Sequence, residues 1–287
     1  MTPFSPEQFK EATRQAWNQS ADGWNRQAPA LHDWLMAATA DMLDAAHIAA
    51  GMRVLDIAAG AGDQTLEIAR RVGPEGHVLA TDISEAILQF AHSNAQQAGL
   101  RQVETRVSDA ENLEVEAAGF DAAVSRLGLM FCPDPVQALR QMHRAIKPGG
   151  HAAVLVFSEP QRNPCIGILM TTALRHAGLP PRDPFQPGGL LSLGKPGLLE
   201  TCFSQAGFTG VTATRIYAPF QLPSARDYLE FVRASASPIL QLLGQLDPPA
   251  REAAWADMEE QLEVFQLPEE WEGPNELLLA AGIKPAA

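Results

Sequence analysis

Lysine is the scarcest charged residue in this sequence: only four occur among 287 residues. No run of Lys or Arg exists, and the formal net charge is −13. Such a chain lacks the clustered cations that hold nucleic-acid phosphates, so nucleic acid is excluded as a partner. The acidic balance reads as a solvated surface. Cysteine is equally sparse. Cys132, Cys165 and Cys202 are far apart and form no CxxC pair, which argues against a disulfide framework and against a zinc cluster. No apolar run approaches the roughly 18 residues of a membrane span. The opening MTPFSPEQFK has no apolar stretch of signal-peptide type, so the expected location is cytoplasmic. No internal repeat, metal-ligand cluster or Ser-His-Asp arrangement is visible among the seven scattered histidines.

What the chain does have is apolar content, 46% of residues, and a length suited to one α/β domain with insertions. SPEQ at positions 5–8 is a helix start: a hydroxyl N-cap, proline at the first helical position and Gln to close a capping box. Helices are expected to about 26 and again over 31–47. Strand and helix patterns then alternate. Strands are expected at 53–58, 77–83, 103–108, 120–125 and 151–157, the last almost continuously apolar, as in a central buried strand. Between them lie helices at 64–72, after Ser84, and from the Asp134-Pro135 cap to the KPGG stop at 147–150. This alternation implies parallel βαβ units in a doubly wound sheet. Ligands of such sheets bind beyond the carboxyl ends of the strands, which gathers residues 56–62, Asp82, Asp109 and Arg126 on one rim.

The second half changes character. Residues 159–195 are rich in Pro and Gly and read as an insertion rather than core. A helix at 196–207, a strand at 211–218, two helices at 224–243 and 247–265 and a final strand at 276–283 are expected. The helical pair should fold over the ligand-binding rim.

The loop VLDIAAGAGDQT at 54–65 carries the chemistry. As a dinucleotide fingerprint it fails at the third glycine, which is Thr65, although Asp82 lies 22 residues after Gly60, where a ribose-binding acid belongs. Asp56, ending the first strand, would oppose a pyrophosphate. A ligand carrying an ammonium and a sulfonium tolerates it, so the loop favours the cation.

VLDIAAGAG, VLATDIS, VSDAENL, FDAAVSRLGLMF and RAIKPGG, in this order, resemble the motifs of class I S-adenosylmethionine-dependent methyltransferases. Within that class they are most similar to the ubiquinone/menaquinone C-methyltransferase-like group. The resemblance is strong over about residues 45–158. It implies a doubly wound, mostly parallel, seven-stranded Rossmann-like α/β sheet with N-terminal helices and helical lid insertions. The divisions expected are a helical cap at 1–48, a donor-binding core at 49–158, the Pro/Gly-rich insertion at 159–195, and the rest of the core at 196–287 with a lid at 224–265.

The resemblance also implies site residues. The family loop D-x-G-x-G-x-G appears as residues 56–62, with Ala58 in place of its first glycine. Asp56, Ala58, Gly60 and Gly62 form the loop; the backbone of Ala58 and Gly60 would meet the methionine part of S-adenosylmethionine, and the following helix start would attract its carboxylate. Asp82 would accept from both ribose hydroxyls. Ile83 would lie on the adenine face, Asp109 would accept from the adenine amino group, and Ala110 would offer its amide. Ser125 and Arg126 would lie by the methionine portion, with Arg126 as a carboxylate clamp.

The implied activity is methyl transfer to a small apolar or aromatic metabolite by in-line displacement, a reaction catalysed mainly by alignment. No general base is identified. Trp17, Trp24, His32, Phe185, Tyr228 and Phe231 are the candidate acceptor contacts, while Cys132 reads as a small buried hydrophobe. The lid helices also offer a homodimer interface. Two rivals stay open: an NAD(P)-dependent oxidoreductase, and a non-methylating protein that keeps S-adenosylmethionine as a structural or electrostatic cofactor.

Overall fold

A computed structural model of the chain describes residues 5–235 and 237–286. The Ser5 hydroxyl accepts from the Gln8 amide at 3.4 Å and starts helix α1 (Pro6–Arg26); α2 (Ala28–Ala45) follows after a single residue. The alternating half runs β1 (Arg53–Ile57), α3 (Asp63–Val72), β2 (His77–Asp82), α4 (Glu85–Gln97), β3 (Val103–Val107), β4 (Phe120–Arg126), α5 (Pro135–Ala145) and β5 (Ile146–Phe157). Two of its helix starts carry side-chain caps. The Ser84 hydroxyl accepts from the Ile87 amide at 3.2 Å, and the Asp134 carboxylate accepts from the Gln137 amide at 2.9 Å. The second half contains α6 (Pro164–His176), α7 (Leu198–Gln205), β6 (Thr209–Tyr217), β7 (Phe220–Leu222), α8 (Ala225–Ser235), α9 (Ser237–Leu243), α10 (Pro248–Leu262), β8 (Trp271–Gly273) and β9 (Glu276–Ile283).

Seven strands form one sheet in the order β3-β2-β1-β4-β5-β9-β6. The neighbouring pairs among β1–β5 are parallel, while β9 runs antiparallel to both β5 and β6. The expected doubly wound, mostly parallel sheet is therefore present. Sequence explains the order of burial. The apolar centre, with Val54, Leu55, Ala123, Val124 and Leu155 sealed, lies inside, where each fully buried Val or Leu contributes about 1.5–3 kcal/mol. VETRV and TGVTATRIY, with polar residues on both faces, are the exposed edges. The chain moves outward from β1 to β2 and β3, then returns to lay β4 on the other side of β1. The two strand ends diverge there, and the resulting crevice is the ligand site of such sheets.

One expectation needs correction, and one small element was not expected. The expected helix at 224–243 is represented by α8 and α9, and residue 236 between them lies outside the described residues. The stretch at 159–195, read as an insertion outside the core, contributes α6. Proline opens that helix, and Cys165, Leu169 and Ala173 bury its inner face; the Pro and Gly that signalled a loop lie in its flanks. The small antiparallel ribbon of β7 and β8 was not foreseen, because three-residue strands are too short to show an alternation. The helices α6, α8, α9 and α10 share a second apolar cluster around Trp271, Trp255 and Met258. Trp271 is fully buried, and its indole N–H donates to the Leu262 carbonyl at 2.8 Å.

Candidate active site

The loop after β1 is shaped by three left-handed residues: Ala58 (φ +56°), Gly60 (φ +58°) and Gly62 (φ +92°). A methyl added at Gly62 would stand 3.0 Å from the Cα and Cβ of Ala91. Gly62 thus permits close approach of α4, the packing role usually given to a fingerprint's third glycine. Beneath the loop, Asp56 is sealed from solvent. It accepts from Thr65 Oγ1 at 2.6 Å and Gln64 Nε2 at 3.2 Å, tying the first turn of α3 to the end of β1. Burial pushes its carboxyl up to about 7, against those hydrogen bonds. Asp56 therefore braces the loop from below and is not on the cavity wall.

Asp82 ends β2, at 9% exposure. Its Oδ2 accepts from the Gly60 amide at 3.0 Å and its Oδ1 from the Ser84 amide at 2.9 Å. Burial raises its carboxyl, opposed by the amides of Ser84, Gly60 and Ile83. The next acid, Asp109, follows β3. It accepts from Lys10 Nζ at 2.7 Å and the Glu111 amide at 2.9 Å, and Lys10 also reaches Glu111 at 2.6 Å. Burial pulls the Lys10 ammonium down, but the hydrogen bonds and charges of Asp109 and Glu111 outweigh it and hold it above its usual range.

A cavity of about 1440 Å³, open mouth included, runs along this rim. Its polar end brings together Ala58, Gly60, Asp82, Ile83, Asp109 and Ala110, six of the expected donor residues. Arg126 also reaches the wall, but not as the expected free clamp. Its guanidinium is committed to Asp63, at 2.8 Å, and donates to Thr39 Oγ1 at 2.8 Å. Asp63 occupies the first turn of α3, where an anion is favoured by the helix end. Ser125 is buried behind the wall, its hydroxyl without a partner among the described residues.

The other end is apolar. Tyr228 and Phe231 line it from α8, while Trp17 and Trp24, meeting edge to face with centroids 5.3 Å apart, line the cavity beside the glycine loop. His32 does not: its Nδ1 lies 3.0 Å from Asp63, where it buttresses the Arg126 pair. Phe185, in the loop between α6 and α7, is also absent from the wall. The wall further includes Lys10, Trp34, Phe157, Phe220 and Asn275, which sequence reasoning passed over. Trp34 stacks on Phe220 with centroids 3.9 Å apart, and its indole donates to the Ala218 carbonyl at 2.7 Å. Nothing local marks these residues, since α2 and β7 meet only in the folded chain. Cys132 lies on the wall with its thiol pushed up by burial, as suits a hydrophobe and not a nucleophile. Among the described residues no group of acids, His and Cys is arranged to hold a metal ion, and no helix is long and apolar enough to cross a membrane.

Residues 48–174 match the model of a methyltransferase domain family. A ubiquinone/menaquinone biosynthesis C-methyltransferase of Idiomarina loihiensis is 40% identical over 119 residues, 41% of this chain and 47% of that protein. A demethylmenaquinone methyltransferase of Listeria welshimeri is 37% identical over 110 residues, 38% of this chain and 47% of that one. The chain thus spans about half the length of the curated relatives it matches. Among solved structures, the YcgJ protein of Bacillus subtilis superposes with a TM-score of 0.59 at 19% identity, covering 88% of this chain and all of that one. The [4+2]-cyclase SpnF superposes with a TM-score of 0.57 at 19% identity, covering 94% and 97%. These two show the fold and no more. Residues 48–174 thus match a methyltransferase domain, and this part of the chain is similar to the ubiquinone/menaquinone C-methyltransferases.

Proposed function

We propose that this protein transfers a methyl group from S-adenosylmethionine to a small, apolar, ring-bearing acceptor. The single observation that carries the reading is the two-ended cavity: strand-end carboxylates and a left-handed loop at one end, an aromatic chamber at the other.

The residues present fit the donor. Asp82, with each oxygen taking one backbone amide, retains lone pairs for two ribose hydroxyls. Asp109 suits the adenine amino group, Ala110 offers an amide, and Ile83 an apolar face. The absence of a side chain at Gly60 matters: a methyl there would stand 3.2 Å from the Trp24 indole nitrogen and narrow the space beside the loop. When bound, the donor supplies a sulfonium-activated methyl group. The protein's part is to fix the donor by its polar end, hold the acceptor in line and exclude water; alignment of this kind is worth on the order of 7–11 kcal/mol. Among the described residues the apolar half of the wall has no His, Asp or Glu. Its titratable group, Tyr228, is held protonated by burial. The acceptor must therefore bring its own ionisable or electron-rich position. The quinone-ring C-methylation named for the relatives fits this requirement.

A dinucleotide is disfavoured because, among the described residues, the two cations on the wall, Lys10 and Arg126, are already neutralised by carboxylates and are not free for a pyrophosphate. The deciding experiment uses methyl-labelled donor with a panel of quinols and naphthols, a peptide and a transfer RNA. Label is expected in a ring compound. Label in the peptide or RNA alone refutes the acceptor class. Donor binding without transfer to any acceptor favours the non-methylating alternative, and tight NADH binding the oxidoreductase.

A further inference from the structure

Two buried asparagines flank the chamber and are treated in opposite ways. Asn163, fully buried, is saturated: its amide donates to Ser158 Oγ (3.2 Å), the Glu159 carbonyl (3.1 Å) and the Glu276 carbonyl (3.1 Å), and its oxygen accepts from the Glu276 amide (3.0 Å). Asn275 is 2% exposed and lines the cavity, yet its Oδ1 has no partner among the described residues. A buried amide left unpaired costs stability, so a native protein that keeps one on a cavity wall has a use for it.

The backbone around Asn275 is held rigidly. Its carbonyl accepts from the Ala218 amide at 2.9 Å, and the next residue's amide is held by Asn163. Ala218 in turn accepts the Trp34 indole, so indole and asparagine are pinned to the two polar groups of one residue. Two other polar groups of the wall are spent, the Trp34 N–H on Ala218 and the Ser235 hydroxyl on the Phe231 carbonyl, at 2.6 Å. The surroundings are Trp34, Phe157, Phe220 and Phe231. A rigid, unpaired amide in an aromatic wall is how binding sites fix the orientation of an otherwise apolar ligand.

We infer that the Asn275 side-chain amide is the specificity point of the acceptor chamber, hydrogen-bonding a ring-borne oxygen, hydroxyl or carbonyl, of an aromatic acceptor. An amide suits either group because it both donates and accepts. This rests on the proposed acceptor chamber, and the test separates the two. With saturating S-adenosylhomocysteine, affinities for 2-naphthol and naphthalene are read from quenching of tryptophan fluorescence in the wild type, Asn275→Leu and Asn275→Ala. Both variants are expected to lose roughly tenfold of the wild-type preference for the naphthol, as for one neutral hydrogen bond in a dry site. S-adenosylhomocysteine affinity and circular dichroism should stay unchanged. An unaltered preference overturns the role of Asn275 and leaves the chamber standing. Failure of both arenes to bind the wild type, with S-adenosylhomocysteine still bound, overturns the chamber and this inference together. Loss of the native spectrum in both variants also overturns it, since the side chain would then be holding the fold.

Discussion

Replacing Asp82 with alanine separates a binding acid from a folding acid. Two effects on stability oppose each other. The amides of Gly60 and Ser84 lose their acceptor, at about 1–3 kcal/mol for each that water does not reach. Against this, burial raises the Asp82 carboxyl, so keeping it ionised near neutral pH is itself costly, and the variant is relieved of that. The side chain also lines the cavity, where water can replace it. The net loss of stability should be about 1–2 kcal/mol. Donor binding has no such compensation. Two charge-assisted hydrogen bonds to ribose hydroxyls, at about 1.5–3 kcal/mol each, amount to about 3–6 kcal/mol, or roughly 10²–10⁴-fold in Kd. Calorimetric titration with S-adenosylhomocysteine alongside thermal melts reads both quantities. Asp82→Asn, which keeps one acceptor oxygen, should fall between. A folded Asp82→Ala protein that binds within threefold of wild type would refute the assignment.

Asp56→Asn tests the brace under the loop. Its carboxyl stands at about 7 in the folded chain against an ordinary 3.8, so the folded state holds the proton more tightly. Its contribution is complete below about pH 4 and is lost as pH rises through 7, a change of about 4 kcal/mol at about 1.4 kcal/mol per decade. Asparagine should flatten the stability profile over that window; an identical profile in wild type and variant refutes the burial argument. A methyl at Gly128 would stand 2.2 Å from the Ala58 Cβ, so Gly128→Ala should cost about 1–3 kcal/mol in denaturant unfolding. Adding Ala58→Gly removes both the clash and the left-handed strain at 58, so the double variant should recover most of the loss; simple additivity would contradict the contact. Trp34→Leu, which removes the ring stacked on Phe220, should raise the acceptor KM by roughly tenfold, on the order of 1.4 kcal/mol, with S-adenosylhomocysteine affinity unchanged. Equal loss of both affinities would mean that Trp34 supports the fold and not the chamber.

The polar end of the site was legible in the sequence because its residues sit at strand ends, and strand ends are marked locally. Asp82 closes an apolar run, Asp109 follows the short strand VETRV, and the glycines after Asp56 announce a turn. The direction in which those residues point was not legible. Asp56 and Asp82 end adjacent strands, yet one is sealed beneath the loop and the other faces the cavity. Arg126 stands where a clamp was expected, but Asp63 and Thr39 had already claimed it. Lys10, a lone lysine in the first helix, pairs with Asp109 across 99 residues, a separation that no local pattern reveals.

Apolar runs, proline and hydroxyl caps and glycine turns determined the βαβ alternation, the buried centre of the sheet and the positions of the loop acids, because each depends on neighbours in the chain. The insertion of β9 between β5 and β6, the meeting of Trp34 with Phe220, and the unpaired amide of Asn275 were decided only by tertiary structure. Those features depend on which distant surfaces bury one another, and a side chain's partners are known only once the competing partners have been placed.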